Sequence, residues 1–534
     1  MTVTGRERRR VLLFALALAV LTSAPYWIGW LAADDAQRFS GFLFGVEDGH
    51  SYTGKMRLGA QGRWDFYLFY TAEAHDSAPL LFLPYIIPGQ AAGLLLAETD
   101  PAMTGLLVGL YHLLRVAFGA ALVAVMYRFA AEFLNSPRLR FLALILAALG
   151  GGLGWALLLV GETPPEFYIP EGFTFQILLS LPHLALARAA LLGGLLALLA
   201  ALRGSWRWAL AAGLCWLLMG LAVPFYLAVI YTALGAWGLA AWLLSRRFPA
   251  RLAWTAALAA LITLPLFVYN ALVFAGNPAF AQWSAQNLLP SPPPLHYALA
   301  YLPLAALALP GAALAARRAR RDARCALLIG WPLVVPLLVY LPVNVQRRLA
   351  EAVIAPLSVL AALGLARLAR RLPAARARRA LTAAVVGALS LSSLALLLLA
   401  LPAAASRAEP VFVPGALVRA FDWLNARAEA GEVVFAAFRT GNRLPAYTHL
   451  RAFVGHGPET LDAAAKTAQA EAFFRGELSP AEQAALLAGQ RVRYIVYGPS
   501  ERRLAPDAPA APAWAAGLAA LYDSDGVTIY AVPR

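Results

Sequence analysis

Apolar runs of about 20 residues follow one another along most of this 534-residue chain, and they constrain its fold more than any other feature. A run of that length covers a bilayer core of about 30 Å as a helix. Backbone placed in lipid must satisfy its own hydrogen bonds, so such runs are expected to be helical. No alternating β-barrel pattern is present. Basic clusters sit between the runs: "RERRR" (6–10), "SPRLR" (136–140), "SRRFPAR" (245–251), "ARRARRDAR" (316–324) and "ARRLPAARARR" (369–379). The net charge of +15 suggests nucleic acid at first sight. Its clustering in short loops is instead the positive-inside signature, and no nucleic-acid partner is expected.

Placing those clusters inside gives about eleven spans: 11–31, 103–131, 141–160, 184–202, 208–222, 224–244, 252–274, 295–315, 325–342, 350–367 and 380–402. The N-terminus then lies in the cytoplasm and the C-terminus outside. The first apolar run has a basic start but no clean small-residue cleavage site, so it reads as an uncleaved span. Segment 79–97, "PLLFLPYIIPGQAAGLLLA", is left over. A full crossing there would turn the next basic clusters outward, so it is expected to dip into or lie on the outer face. The two cysteines, Cys215 and Cys325, fall inside spans, which excludes a disulfide framework and a cysteine-based metal site.

Three polar regions lie outside on this map: 32–78, 161–176 and 275–297. After residue 404 the pattern changes to "FDWLNARAEAGEVVFAAF", a helix then a strand. Two helical stretches (459–476 and 479–489) and two strand-like ones, "VRYIVYG" and "VTIYAVP", follow. The expected architecture is a mainly α, polytopic helical membrane domain (1–404) with a long first outer loop (32–78). A soluble extracytoplasmic α/β domain (405–534), at about 130 residues large enough for its own core, completes it.

The first outer loop carries the densest chemistry. In "VEDGHSYTGKMRLGAQGRW" (46–64), Tyr52, Met56 and Ala60 recur at i, i+4 and i+8, with Lys55, Arg57 and Gln61 on other faces. This predicts a short amphipathic helix on the outer leaflet with Asp48 near its N-terminus, where the helix dipole favours an anion. An ordinary cap in a wet loop fits the pattern equally well.

Asp48, Tyr52, Gly62 and Trp64, followed by "SAPLLFLPY" and "LLRVAFGAALVAVMYRF", resemble the start of the multi-pass glycosyltransferases of the GT-C fold. That family includes aminoarabinose transferases and protein O-mannosyltransferases. The resemblance covers residues 1–160 clearly and the rest by architecture. It implies a sugar donor linked to polyprenyl phosphate and a direct-displacement, inverting transfer to a glycan, lipid or protein acceptor on the outer face of a bacterial cytoplasmic membrane. Asp48 matches the catalytic carboxylate and Arg115 the arginine of the following span. The sequence departs from the family at Gly49, usually Glu there, and Glu47, on the other side of Asp48, is the second catalytic candidate.

Gln346, Arg347 and Arg348 fall on the outer side, against the rule that the other arginine pairs obey, and the arginine fork suits phosphate. The resemblance implies that they, together with Arg115, meet the donor phosphate. Snorkelling arginines at lipid headgroups are the bland alternative. Tyr111, His112 and Arg115 share the outer half of one span, where ionisable groups are functional candidates. Further candidates for acceptor or loop contacts are His50, Tyr52, Glu166 and His456. Glu162 and Glu171 share Glu166's loop, and His183 ends a span. His456 sits in a Gly-His-Gly turn before an expected helix that has Pro458 in its first turn. No cofactor is read from the residues, and a divalent metal, Mg or Mn, stays open. A transporter or flippase of lipid-linked glycans is the alternative function. The absence of internal repeats and the acids gathered in one outer loop weigh against it. A third class is a membrane-anchored assembly or sensor protein.

Overall fold

The structure is a computed structural model that describes residues 2–507 and 512–533. Met1, residues 508–511 and Arg534, which belong to the stretches 1–404 and 405–534, lie outside the described residues. Helices dominate, and the chain is a multi-pass membrane protein. Among the described residues, seven helices are long and apolar enough to cross a bilayer, including α1 (Gly5–Ala32) and α4 (Met103–Phe133). The pair Ala375–Leu389 and Leu391–Ala405, bent by 50°, makes an eighth if counted as one span. Arg207–Ala222, Ala323–Leu338 and Ile354–Ala369 are shorter apolar helices. Each of the eleven expected segments falls on one of these elements. Length and composition assign crossings to seven or eight of them, because the three short helices fall below a full bilayer thickness. Both cysteines are unpaired thiols.

Two compact units emerge. Unit 1 comprises Met1–Pro25, Leu113–Ala271 and Leu288–Leu401. Its core is Leu-, Ala- and Trp-rich, with Trp216, Trp237 and Trp331 fully buried. Lipid tails are as apolar as leucine, so helices here associate through close van der Waals packing. Gly311 and Gly364 show how. A Cβ on Gly311 would fall 2.1 Å from the Leu360 carbonyl oxygen, and one on Gly364 only 1.8 Å from that of Leu307. The helices Pro294–Ala319 and Ile354–Ala369 therefore touch backbone to backbone. The pair Arg188–Glu351 is fully buried in this unit. Arg188 donates to both carboxylate oxygens of Glu351, at 2.7 and 2.9 Å, and to the backbone oxygens of Pro170 and Glu171.

Unit 2 comprises Tyr26–His112, Leu272–Asn287 and Pro402–Arg534. Its five-stranded sheet runs, edge to edge, 451–452, 433–435, 492–497, 527–531, 519–524. Its first two pairings are parallel and the rest antiparallel. The helix–strand reading of 421–438 and the strands at 492–497 and 527–531 agree with this sheet. Ser479 caps Pro480–Gly489 in a reciprocal box with Glu482, as its Ser-Pro start predicts. The expectation that 405–534 buries its own core is met on only one face of the sheet. There Phe435, Phe453, Phe473, Phe474 and Trp514 pack together. On the other face Val413, Phe421, Leu444 and Val496 share their core with Leu58, Phe66, Phe69, Tyr70 and Phe280 from the earlier segments. Residues 37–39 also pair with 412–414 as antiparallel strands.

One of two elements of unit 2 singled out in the sequence differs from its reading. Helix α2 (Val46–Ala60) exists, but it is no leaflet-bound amphipath: Lys55, Met56, Arg57, Leu58 and Gly59 are all buried. Its cations are neutralised inside the protein. Lys55 Nζ lies 2.6 Å from Glu459, and Arg57 lies 3.0 Å from Glu98. The leftover apolar segment holds α3 (Leu83–Gly93), which at 11 residues is too short to cross a bilayer. It docks along α2 at glycines. A Cβ on Gly89 would sit 1.8 Å from the Met56 carbonyl oxygen, and one on Gly59 2.1 Å from that of Ile86.

Candidate active site

Asp48 occupies the first turn of α2, directly after Gly45, which ends the preceding loop in a left-handed conformation (φ 57°). The first-turn position gives its carboxylate the positive end of the helix dipole. The side chain is 57% exposed, unlike the buried cations later in the helix. Gly49, where the resembling family has Glu, packs under the ring of Phe42, and a Cβ there would lie 2.3 Å from ring carbon. A glutamate does not fit at that position in this chain.

The partner of Asp48 comes from far along the sequence. His456 Nε2 lies 3.2 Å from Asp48 Oδ1, and the imidazole is buried. Its ring stacks on Tyr70 at 5.5 Å, and its backbone N–H donates to Thr460. Nδ1 has no hydrogen-bond partner among the described residues. Burial works against a charged imidazole here, but Glu459 and Asp48 outweigh it and raise the pKa above the ordinary histidine value. Glu47 is also raised, first through desolvation and then through the adjacent Asp48, with His456 and Arg439 opposing. The site therefore holds an exposed carboxylate against a cation-favouring histidine, with a glutamate of raised pKa beside it.

His50 faces the other way. It is buried, with Nδ1 2.8 Å from Asn442 Oδ1, and burial together with Arg443 drives its pKa down to about 3. It is a neutral group within the unit, placed to fix Asn442. Asn442 in turn accepts from Tyr70 through its backbone oxygen and donates toward the Glu47 carbonyl. Tyr52 stacks on Tyr85 at 4.6 Å and on Tyr111 at 6.3 Å, forming a wall of three nearly parallel rings. His112 bonds the Gly41 carbonyl, holding the loop before α2. Trp64 is exposed, and Gly62 supplies a left-handed turn (φ 79°).

The remaining candidates belong to unit 1. Arg115 is buried and donates to Thr22, Ser23 and the Leu178 carbonyl. Glu166 is buried and accepts from Gly152 N and Ser392 Oγ. Gln346 bridges Ser291 N and the Leu341 carbonyl. Arg347 and Arg348 are half-buried, over the rings of Tyr168 (5.2 Å) and Phe225 (5.5 Å). Arg348 also lies 3.5 Å from Glu171. His183 precedes the buried Arg188, which the sequence reading did not single out.

That reading also passed over Asn442, Tyr70 and Glu459 as neighbours of the first loop. The expected helix from Pro458 starts instead at Ala463, so Pro458 and Glu459 lie in the turn that presents His456. The Gly-His-Gly turn was the one available signal. Among the described residues, no group of three or more His, Cys, Asp or Glu side chains is arranged to hold a metal ion.

No protein-family model and no curated protein matches the chain. Solved structures do. The apo oligosaccharyltransferase of Archaeoglobus fulgidus superposes with a TM-score of 0.56 at 15% identity, over 92% of this chain and 69% of that one. The same organism's AglB, in complex with an inhibitory peptide and a dolichol-phosphate, gives 0.55 at 13% identity, over 90% and 69%. ArnT from Cupriavidus metallidurans, in the apo state, gives 0.48 at 15% identity, over 98% and 99%.

Proposed function

From the GT-C fold that the chain shares with these transferases, we propose that it is an integral-membrane glycosyltransferase. It moves a sugar from a polyprenyl-phosphate donor to a glycan, lipid or protein acceptor on the outer face of a bacterial cytoplasmic membrane. The fold alone licenses no activity. The observation that carries the reading is the exposed Asp48 carboxylate backed by His456 at 3.2 Å. It supports the catalytic role that the resemblance assigns to Asp48. AglB's complex with a dolichol-phosphate and an inhibitory peptide supports a lipid-phosphate ligand, and the same organism's oligosaccharyltransferase tethered with an acceptor peptide supports a peptide acceptor.

In this reading Asp48 takes the proton of the acceptor nucleophile as its electron pair attacks the sugar's anomeric carbon. The bond from that carbon to the phosphate oxygen breaks, and the phosphate leaves with the electron pair. Positioned proton transfer of this kind contributes about 10²–10⁴ in rate. His456 holds Asp48 in place and favours its anionic form. Arg347 and Arg348 are assigned to the donor phosphate, whose charge grows on departure and is matched by the guanidinium fork. The N-terminus is cytoplasmic and residues 405–534 are extracytoplasmic.

The test is purified protein incubated with a panel of radiolabelled polyprenyl-phosphate sugars, following both label transfer and lipid movement across vesicles. Transfer from at least one donor is expected. Movement of donors between leaflets without transfer would replace the enzyme with a flippase.

A further inference from the structure

The end of unit 1 that carries "RERRR" holds a cavity of about 540 Å³ between α1, α4 and α5 (Pro137–Leu149). Its wall is mainly apolar and carries two arginines: Arg10, Leu13 and Phe14 come from α1, Tyr127 from α4, and Arg138 and Phe141 from α5. The charges around it do not cancel. Glu7, the only acid in the lining, is fully engaged by Arg140 at 2.8 Å, by Tyr127 Oη at 2.6 Å and by Thr4 N at 2.9 Å. Arg10 and Arg138 are exposed and make no side-chain ion pair or hydrogen bond among the described residues. Two free guanidiniums are thus left facing one apolar cleft.

We infer that this cleft is a binding site for an anionic phospholipid of the adjacent leaflet. Its phosphate lies between Arg10 and Arg138, and an acyl chain lies along α1. Guanidinium forks match phosphate oxygens in pairs, and basic pockets at the ends of membrane helices are suited to anionic headgroups. The apolar part selects a lipid over a soluble anion. Leu13 is 56% exposed, and Leu16 and Val20, at helical spacing beyond it, are 52% and 72% exposed. They continue the cleft as an open apolar stripe along a membrane-spanning helix. The site is independent of the proposed transfer reaction, since none of its residues belongs to the candidate active site.

Native mass spectrometry of the full chain in detergent tests it, with phosphatidylglycerol and phosphatidylcholine of matched acyl chains as probes. The parent is expected to retain phosphatidylglycerol preferentially. R10A/R138A should lose roughly tenfold or more of that retention, the scale of two charge-assisted contacts. R10K/R138K, keeping charge without the fork, should lose less. Phe141→Trp, which narrows the cleft and leaves both arginines, should also lower retention, and it serves where the alanine pair does not fold. Equal retention of the two lipids by the parent, unchanged preference in R10A/R138A, or displacement of the lipid by millimolar inorganic phosphate would each overturn the assignment.

Discussion

Asp48 and His456, 408 residues apart in the chain, meet at 3.2 Å between Oδ1 and Nε2. The histidine is buried and the carboxylate exposed, so the contact is anchored from one side and open on the other. Ionisation couples this pair to stability. The folded-state pKa of His456 is raised above the unfolded value of about 6.5. Its contribution is therefore fully present below about pH 6.5 and is lost as pH rises through the folded value. The midpoint of thermal unfolding should fall with rising pH over that window, and His456→Gln should flatten the decline. His449, raised by its bond to Glu98, titrates in the same sense and leaves a residual slope. Identical pH profiles for parent and variant would remove His456 from the account.

The buried Lys55–Glu459 pair carries a second prediction. With side chains only 1% and 7% exposed, neither charge is compensated by water. Lys55→Met should destabilise unit 2 by about 3–5 kcal/mol, because it strands a buried carboxylate. Adding Glu459→Gln should restore part of that. Unfolding midpoints of the two variants check the order, and a single variant as stable as the parent contradicts it.

Much of this architecture was legible in the sequence, and the reason is length. An apolar run of about 20 residues has one stable solution in lipid, so even the short helices fall where the runs predicted. Capping chemistry read true for the same local reason at Ser479 and Glu482. Helix α2 was misread because its pattern was judged without partners. Lys55 and Arg57 look like a solvated face until Glu459, 404 residues on, and Glu98, 41 residues on, fold against them. The Asp48 position was visible by resemblance. That His456 is its neighbour was not, since nothing local links a turn at 455–457 to a helix start at 48.

Topology supplies a third prediction. Protease added outside sealed, right-side-out vesicles should cleave within residues 405–534. Protection of that stretch would mean an even number of crossings, and the outer placement of Arg347 and Arg348 would fall with it.

Arg347 and Arg348 rest on aromatic faces and, for Arg348, against Glu171. If they hold the donor phosphate, R347A/R348A should raise KM for the donor, and lower kcat as well if the contact tightens in the transition state. Each lost contact is worth about 1.5–3 kcal/mol. Arginine-to-lysine variants should recover part. Steady-state kinetics with varied donor and saturating acceptor decide this, and unchanged KM and kcat would leave them as packing or lipid-contacting residues.

The catalytic assignment of Asp48 is tested most directly by the transfer rate of Asp48→Asn. Asparagine keeps the size of the side chain and a hydrogen bond to His456 while removing the basic oxygen. A variant that inserts and unfolds like the parent should transfer sugar at least about 10²-fold more slowly, the scale of a lost general base. Transfer by that folded variant at close to the parental rate would contradict the account.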